Sequence, residues 1–215
     1  MSTLLLRLAG PMQAWGAEAQ FEIRKTNREP TKSGVIGLLA AALGLRRDDP
    51  PAELAKLHFG VRVDREGVLL RDFHMARDKK TSYVTTRYYL CDAVFLAGVS
   101  SEDEALMQRL AEAVTHPAFP LYLGRRSCPP EGRVSLGLRN LPLEEALRRE
   151  PALACSERNQ PDRMRMVLDT PGGPARVRDV PISFSPYHRQ YAYRAASEVW
   201  QDGVYREHDP MQELR

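Results

Sequence analysis

The signatures of several common chemistries are missing from this chain of 215 residues. It has no GxxxxGKS/T to cradle nucleotide phosphates, no HExxH to hold zinc and no GxSxG to raise a serine nucleophile, so NTPase, zinc-protease and hydrolase readings have no anchor. His58, His74, His116, His188 and His208 are scattered without ligand spacing. No catalytic residue, metal or cofactor is expected. Cysteine is scarce: Cys91, Cys128 and Cys155 are odd in number and lack CxxC spacing. That excludes a disulfide framework and leaves the reduced thiols of a cytoplasmic protein as the expectation. The longest apolar stretch, Val35 to Leu45, falls far short of the roughly 20 residues needed to span a bilayer. Arg7 interrupts Leu4-Leu5-Leu6 too early for a secretory leader. No membrane role is expected.

Charge of one sign is also lacking, since Lys+Arg 31 against Asp+Glu 28 leave a net charge of only +3. The sum alone excludes a uniformly basic nucleic-acid binder, yet the distribution is uneven. Carboxylates gather in the helix-like stretches Glu102 to Glu112 and Glu144 to Glu150, while cations gather in loops. A basic groove on a nearly neutral body is compatible with this. With 43% hydrophobic and 27% charged residues, the chain is an ordinary globular one with enough apolar side chains for a sizeable core.

Residues 3–9 are Leu-rich and stop at Gly10-Pro11, which predicts a buried first strand. Hydroxyls before Gly34 and a glycine at 44 delimit a central helix. Residues 59–64 and 68–73, separated by Arg65-Glu66-Gly67, predict a hairpin, and 88–99 a further strand. Ser101 with Glu104 reads as a capping box for a helix ending before Pro117. The order strand, helix, strand, strand, helix is that of a ferredoxin-like α+β domain whose last strand is still owed. Beyond it, residues 143–149 predict a short helix and 163–180 a hairpin around Pro171-Gly172-Gly173-Pro174. A soft boundary near Pro151 divides residues 1–150 from a smaller β-rich region with a polar tail, 151–215.

Four segments carry chemistry suited to RNA. Pro30-Thr31-Lys32-Ser33-Gly34 sets Lys32 and Ser33 at a helix start, where unpaired N–H groups favour a phosphate; plain N-capping with a solvated Lys32 is the alternative. In Tyr122-Leu123-Gly124-Arg125-Arg126-Ser127, guanidinium forks beside a ring can hold phosphates and stack on unpaired bases, or form a solvated charge pair. Gln13, Trp15 and Gly16 form a loop that fits base stacking or anchorage on the core, with Arg24 close behind. Arg77, Lys79, Lys80, Tyr83 and Arg87 mix cations and rings in a segment able to wedge between bases, or to serve as an ordinary charged loop.

These segments, together with Arg71-Asp72-Phe73-His74 and Tyr89-Leu90-Cys91-Asp92-Ala93, resemble the CasD family of type I-E CRISPR Cascade subunits in content and order from Leu6 to Pro129. The resemblance implies an RRM-like domain with a protruding β-hairpin thumb at Arg77 to Thr86. It further implies a non-catalytic subunit that caps the assembly and holds the 5′ handle of crRNA with the neighbourhoods of Gln13, Lys32 and Arg125. A CasC-type backbone subunit and a CasA-type large subunit are the implied protein partners, with target DNA met through the complex. The alternative is a metal-independent endoribonuclease cutting pre-crRNA repeats, for which His74 with Lys79 or Tyr83 is the local set. After Leu141 the resemblance thins, and no binding role is carried there.

Overall fold

Ser2–Ala9 forms strand β1, whose Leu4, Leu6 and Leu8 face one side and Leu5 the other, all fully buried. A strand covered on both faces needs no polar alternation, which is why this run is continuously apolar. The computed structural model describes residues 1–16, 23–77, 82–154 and 162–202. Lys79, Lys80, Cys155, His208 and the tail lie outside them.

Downstream come β2 (Met12–Gln13), β3 (Ile23–Arg24), α1 (Lys32–Ala42), α2 (Ala52–Ala55), β4 (His58–Arg65), β5 (Val68–Arg77) and β6 (Ser82–Cys91). They are followed by β7 (Val94–Ser101), α3 (Glu104–Thr115), β8 (Ser135–Arg139), α4 (Leu143–Arg149), β9 (Arg163–Asp169), β10 (Ala175–Ser183) and β11 (Gln190–Asp202). The fold is α+β with mostly antiparallel sheets. The main sheet has the order β10-β11-β9-β4-β7-β1-β8. Within it β1 is antiparallel to both β7 and β8, and β4 to both β7 and β9. Helices α1 and α3 pack on the face of Leu4, Leu6, Phe59, Val61 and Phe95. Helix α4 packs on the opposite face, over Leu5, Leu96, Met166 and Leu168. Each fully buried Leu or Phe contributes about 1.5–3 kcal/mol. Because β9 pairs with β4, the sheet runs on without a break past the boundary expected near Pro151.

Four local expectations are corrected. Residues 59–64 and 68–73 do not pair: β4 belongs to the main sheet, whereas β5 pairs along its whole length with β6 in a second, four-stranded sheet with β2 and β3. The single strand over 88–99 is two, because Asp92 takes φ 56° and turns the chain from β6 in one sheet into β7 in the other. Asp103, not Ser101, caps α3, accepting from the Leu106 N–H at 2.9 Å, while the Ser101 hydroxyl accepts from the Asp103 N–H. The 163–180 hairpin does not close on itself, since β9 and β10 both pair with β11.

Arg62 lies under α4 with no exposure. Its Nε and Nη2 donate to Asp64 at 2.7 and 2.8 Å, and its remaining donors reach the carbonyls of Leu147, Glu150 and Pro151 at and beyond the end of α4. A buried charge is tolerated here because every donor has an acceptor and the helix end supplies partial negative charge. Arg62→Ala is expected to cost about 3–5 kcal/mol in urea denaturation by stranding Asp64. Arg62→Met with Asp64→Leu should recover much of that loss.

Candidate nucleic-acid interface

Trp15 is 1% exposed and lies between two glycines distant in sequence. A methyl group at Gly34 of α1 would stand 2.7 Å from the indole, and one at Gly124 would stand 3.6 Å from it and 1.9 Å from the Ala14 carbonyl oxygen. Gly124 has φ +82°, a conformation that side chains resist. The space that this glycine leaves open is therefore filled by the chain's own backbone. The indole Nε1 donates to Gln13 Oε1 at 2.9 Å, and Gln13 Nε2 donates to the carbonyls of Leu8 and Ala93. Trp15 and Gln13 are thus spent on anchorage, the core alternative left open by the sequence. Further bonds run from Ala14 N–H to Leu123 O, from Asn27 N–H to Trp15 O and from Trp15 N–H to Thr26 Oγ1. The loops around residues 13–16, 24–27 and 122–127 consequently meet at one place, with Gly16 exposed at its rim.

Arg125 fastens this junction. Its guanidinium donates to the carbonyls of Tyr88, Arg24 and Lys25 at 3.2, 2.9 and 3.3 Å and lies 4.8 Å from the centroid of the Tyr89 ring. Arg126, Ser127, Arg24 and Lys25 flank it with exposed side chains, and Tyr122 is half-buried.

Lys32 and Ser33, expected to greet a phosphate, are each 5% exposed. Lys32 Nζ is 3.0 Å from Asp169, its backbone N–H donates to Asp179 Oδ2 at 2.8 Å, and Thr31 caps Gly34 N–H. The carboxylate of Asp179 thus fills the anion position at the start of α1. Arg194 ties both acids together, bonding Asp179 through Nε at 2.7 Å and Asp169 through Nη1 at 2.7 Å. Burial draws the Arg194 pKa down, but Asp179 and Asp169 outweigh it and hold the guanidinium above its usual value. The sequence gives no local sign of this network, whose partners are separated by up to 147 positions.

The β5–β6 pair is tied to the junction through β2 and β3, which both pair with β6. Leu69, Phe73, Met75 and Val84 share one face and are 57–68% exposed, with Arg71 stacked 4.6 Å over Phe73. An apolar stripe of this kind on a folded chain marks a contact surface. On the other face His74 Nε2 lies 2.8 Å from Asp72. Arg77 and Tyr83 are exposed and Arg87 is half-buried.

Residues 3–197 match the family model described as CRISPR-associated protein (Cas_Cas5). The chain belongs to this family. It is 42% identical, over 150 residues, to the CRISPR system Cascade subunit CasD of Escherichia coli strain K12, an alignment covering 60% of this chain and 67% of that protein. A crystal structure of a Cas protein superposes with TM-score 0.79 at 41% identity, covering 95% of this chain and 98% of the other. A chain of a CRISPR RNA-guided surveillance complex does so with TM-score 0.80 at 35% identity, covering 94% and 90%.

Two thiols of this Cas5 chain adjoin the interface. Burial pushes up the pKa of Cys128, outweighing the pull of Ser127 and Arg125, and burial together with Asp92 raises that of Cys91. A proton held more tightly in the folded chain stabilises it below the unfolded pKa, and that stability is lost as pH rises beyond it. Tm is expected to decline above about pH 9, and Cys128→Ala to blunt the decline. Gly124→Ala is expected to destabilise by at least about 2 kcal/mol in thermal or urea unfolding, through strained φ and collision with Ala14.

Proposed function

We propose that this chain is the non-catalytic, CasD-type subunit of a type I-E Cascade surveillance complex, holding the 5′ handle of crRNA and capping the assembly in the cytoplasm. The observation that carries the reading is the junction at Trp15, where three loops separated in sequence meet and leave Arg24, Lys25, Arg126 and Ser127 exposed around one place. Such a cluster offers guanidinium forks and hydroxyls to phosphates, and Tyr122 and Gly16 add a ring and an unobstructed edge for a splayed base. Gln13, Trp15, Gly124 and Arg125 position these groups from behind. Lys32 and Ser33 act through α1 rather than by touching RNA.

The order β8-β1-β7-β4, with α1 after β1 and α3 after β7, supports the ferredoxin-like, RRM-like reading of residues 1–150, with β8 as the fourth strand. Within residues 151–215, β9, β10 and β11 are the β-rich extension of that domain. The β5–β6 hairpin is the thumb, broader than Arg77 to Thr86 because its arms begin at Val68 and end at Cys91. Its exposed Leu69, Phe73, Met75 and Val84 fit a protein neighbour, a CasC-type backbone subunit, while Arg77, Tyr83 and Arg87 accompany the RNA. A CasA-type large subunit is the other partner, and target DNA is met through the complex. Helices long and apolar enough to cross a membrane are absent among the described residues.

Arg126→Ala is expected to leave Tm unchanged, weaken handle-RNA binding and lower the salt slope by about 0.7, the share of one single-strand phosphate contact. Arg125→Ala should also lower Tm, because three carbonyls lose their donor. Unchanged handle affinity in both variants would remove this junction from the grip. End-labelled repeat RNA in chelator should stay intact; specific cleavage abolished by His74→Ala would favour the endoribonuclease instead.

A further inference from the structure

The β10–β11 hairpin carries positive charge that the described residues leave unneutralised. Between Ala175 and Ser197 stand Arg176, Arg178, Arg189 and Arg194, with Asp179 as the single acid. Asp179 is fully buried and bonded to Arg194 through both oxygens, so that pair cancels and three arginines remain. All three are exposed, and among the described residues none of their side chains has an ion-pair or hydrogen-bond partner. The guanidinium of Arg176 instead lies 5.3 Å from the centroid of the Tyr193 ring.

Register places these groups together. Arg178 pairs with Tyr193 and Arg176 with Ala195, so the two arginines and the ring share one face, with guanidinium roots about 6.8 Å apart along the strand. In β11 the same alternation puts Val199 against Met166, among residues packed under α4. This face is therefore opposite to that of Arg194, α1 and the Trp15 junction. Helix α4 lies chiefly over β4, β7 and β1. Because β10 is the outermost strand, the face is open from the side. Tyr191 continues the row, and Tyr187, 96% exposed, stands with Arg189 at the turn.

We propose that this face of the β10–β11 hairpin is a second nucleic-acid contact, separate from the handle site and indifferent to sequence. Arg176 and Arg178 take successive phosphates of one strand, and Tyr193 and Tyr191 offer rings to its unpaired bases. Unengaged guanidinium forks in an acid-free row suit a repeating anion, and rings interleaved with them suit a polymer that alternates phosphates with flat bases. An acidic protein surface would satisfy the charge but gives no use to the rings.

The test uses the full-length chain carrying Arg126→Ala, which weakens the handle junction, and measures anisotropy of labelled oligouridine, oligothymidine and duplex DNA over a salt series. Adding Arg176→Gln with Arg178→Gln is expected to lower single-strand affinity severalfold and the salt slope by about 1.4, the share of two phosphate contacts. Arg176→Lys with Arg178→Lys should restore the slope, and Tyr193→Leu should weaken the single strands but not the duplex. The oligouridine and oligothymidine arms tell whether RNA or DNA is the preferred strand. Unchanged affinity and slope on all three probes would overturn the proposal, as would intact nucleic-acid binding coupled to failed co-purification with the other subunits, which would assign the face to a protein. Handle-RNA affinity of Arg176→Gln with Arg178→Gln alone is expected to match the parent; a loss there would merge the two sites and overturn their separateness, leaving the handle reading untouched.

Discussion

The indole of Trp15 can enter the core because residue 34 has no side chain, and the loop around residue 124 can close on the Ala14 carbonyl because that residue has none either. With the ring in place, α1, the loop around residue 15 and the loop around residue 124 are held at van der Waals distance, and their backbone bonds follow. Steric exclusion thus sets the junction, and hydrogen bonds lock it. A ring fully removed from water contributes several kcal/mol to that closure. The exposed cations nearby inherit a rigid mount, which spares a ligand the entropy of ordering them.

A second constraint acts from behind. The three strands β9, β10 and β11 reach α1 through Asp169, Asp179 and Arg194, so the carboxyl-terminal third of the chain helps fix the start of the helix that Trp15 packs against. The pairs are largely buried, where breaking one partner costs far more than the net stability of the whole. Specification of one arrangement is their main effect.

How much of this was legible beforehand follows from range. The unbroken Leu run of β1, the hydroxyl and glycine that bound α1, and the helices over 104–115 and 143–149 are encoded within a turn or two, and the sequence shows them. Sheet membership is not local: nothing around Gly67 tells β5 to leave β4 and join β6, because that choice depends on the left-handed turn at Asp92 and on β2, far upstream. For the site, local sequence marks the residues but not which of them are buried. Trp15, Gln13, Lys32 and Arg125 were marked by their residue types, but whether a cation or ring faces ligand or core is decided by partners more than a hundred positions away in two of those cases.

Among the described residues, the Arg125 guanidinium hydrogen-bonds only to main-chain oxygens, those of residues 24, 25 and 88, whose side chains make no hydrogen bond to it. Every amino acid has such an oxygen. Exchanges at these three positions can therefore change the charge and shape of the surface around the junction while the clasp beneath stays shut.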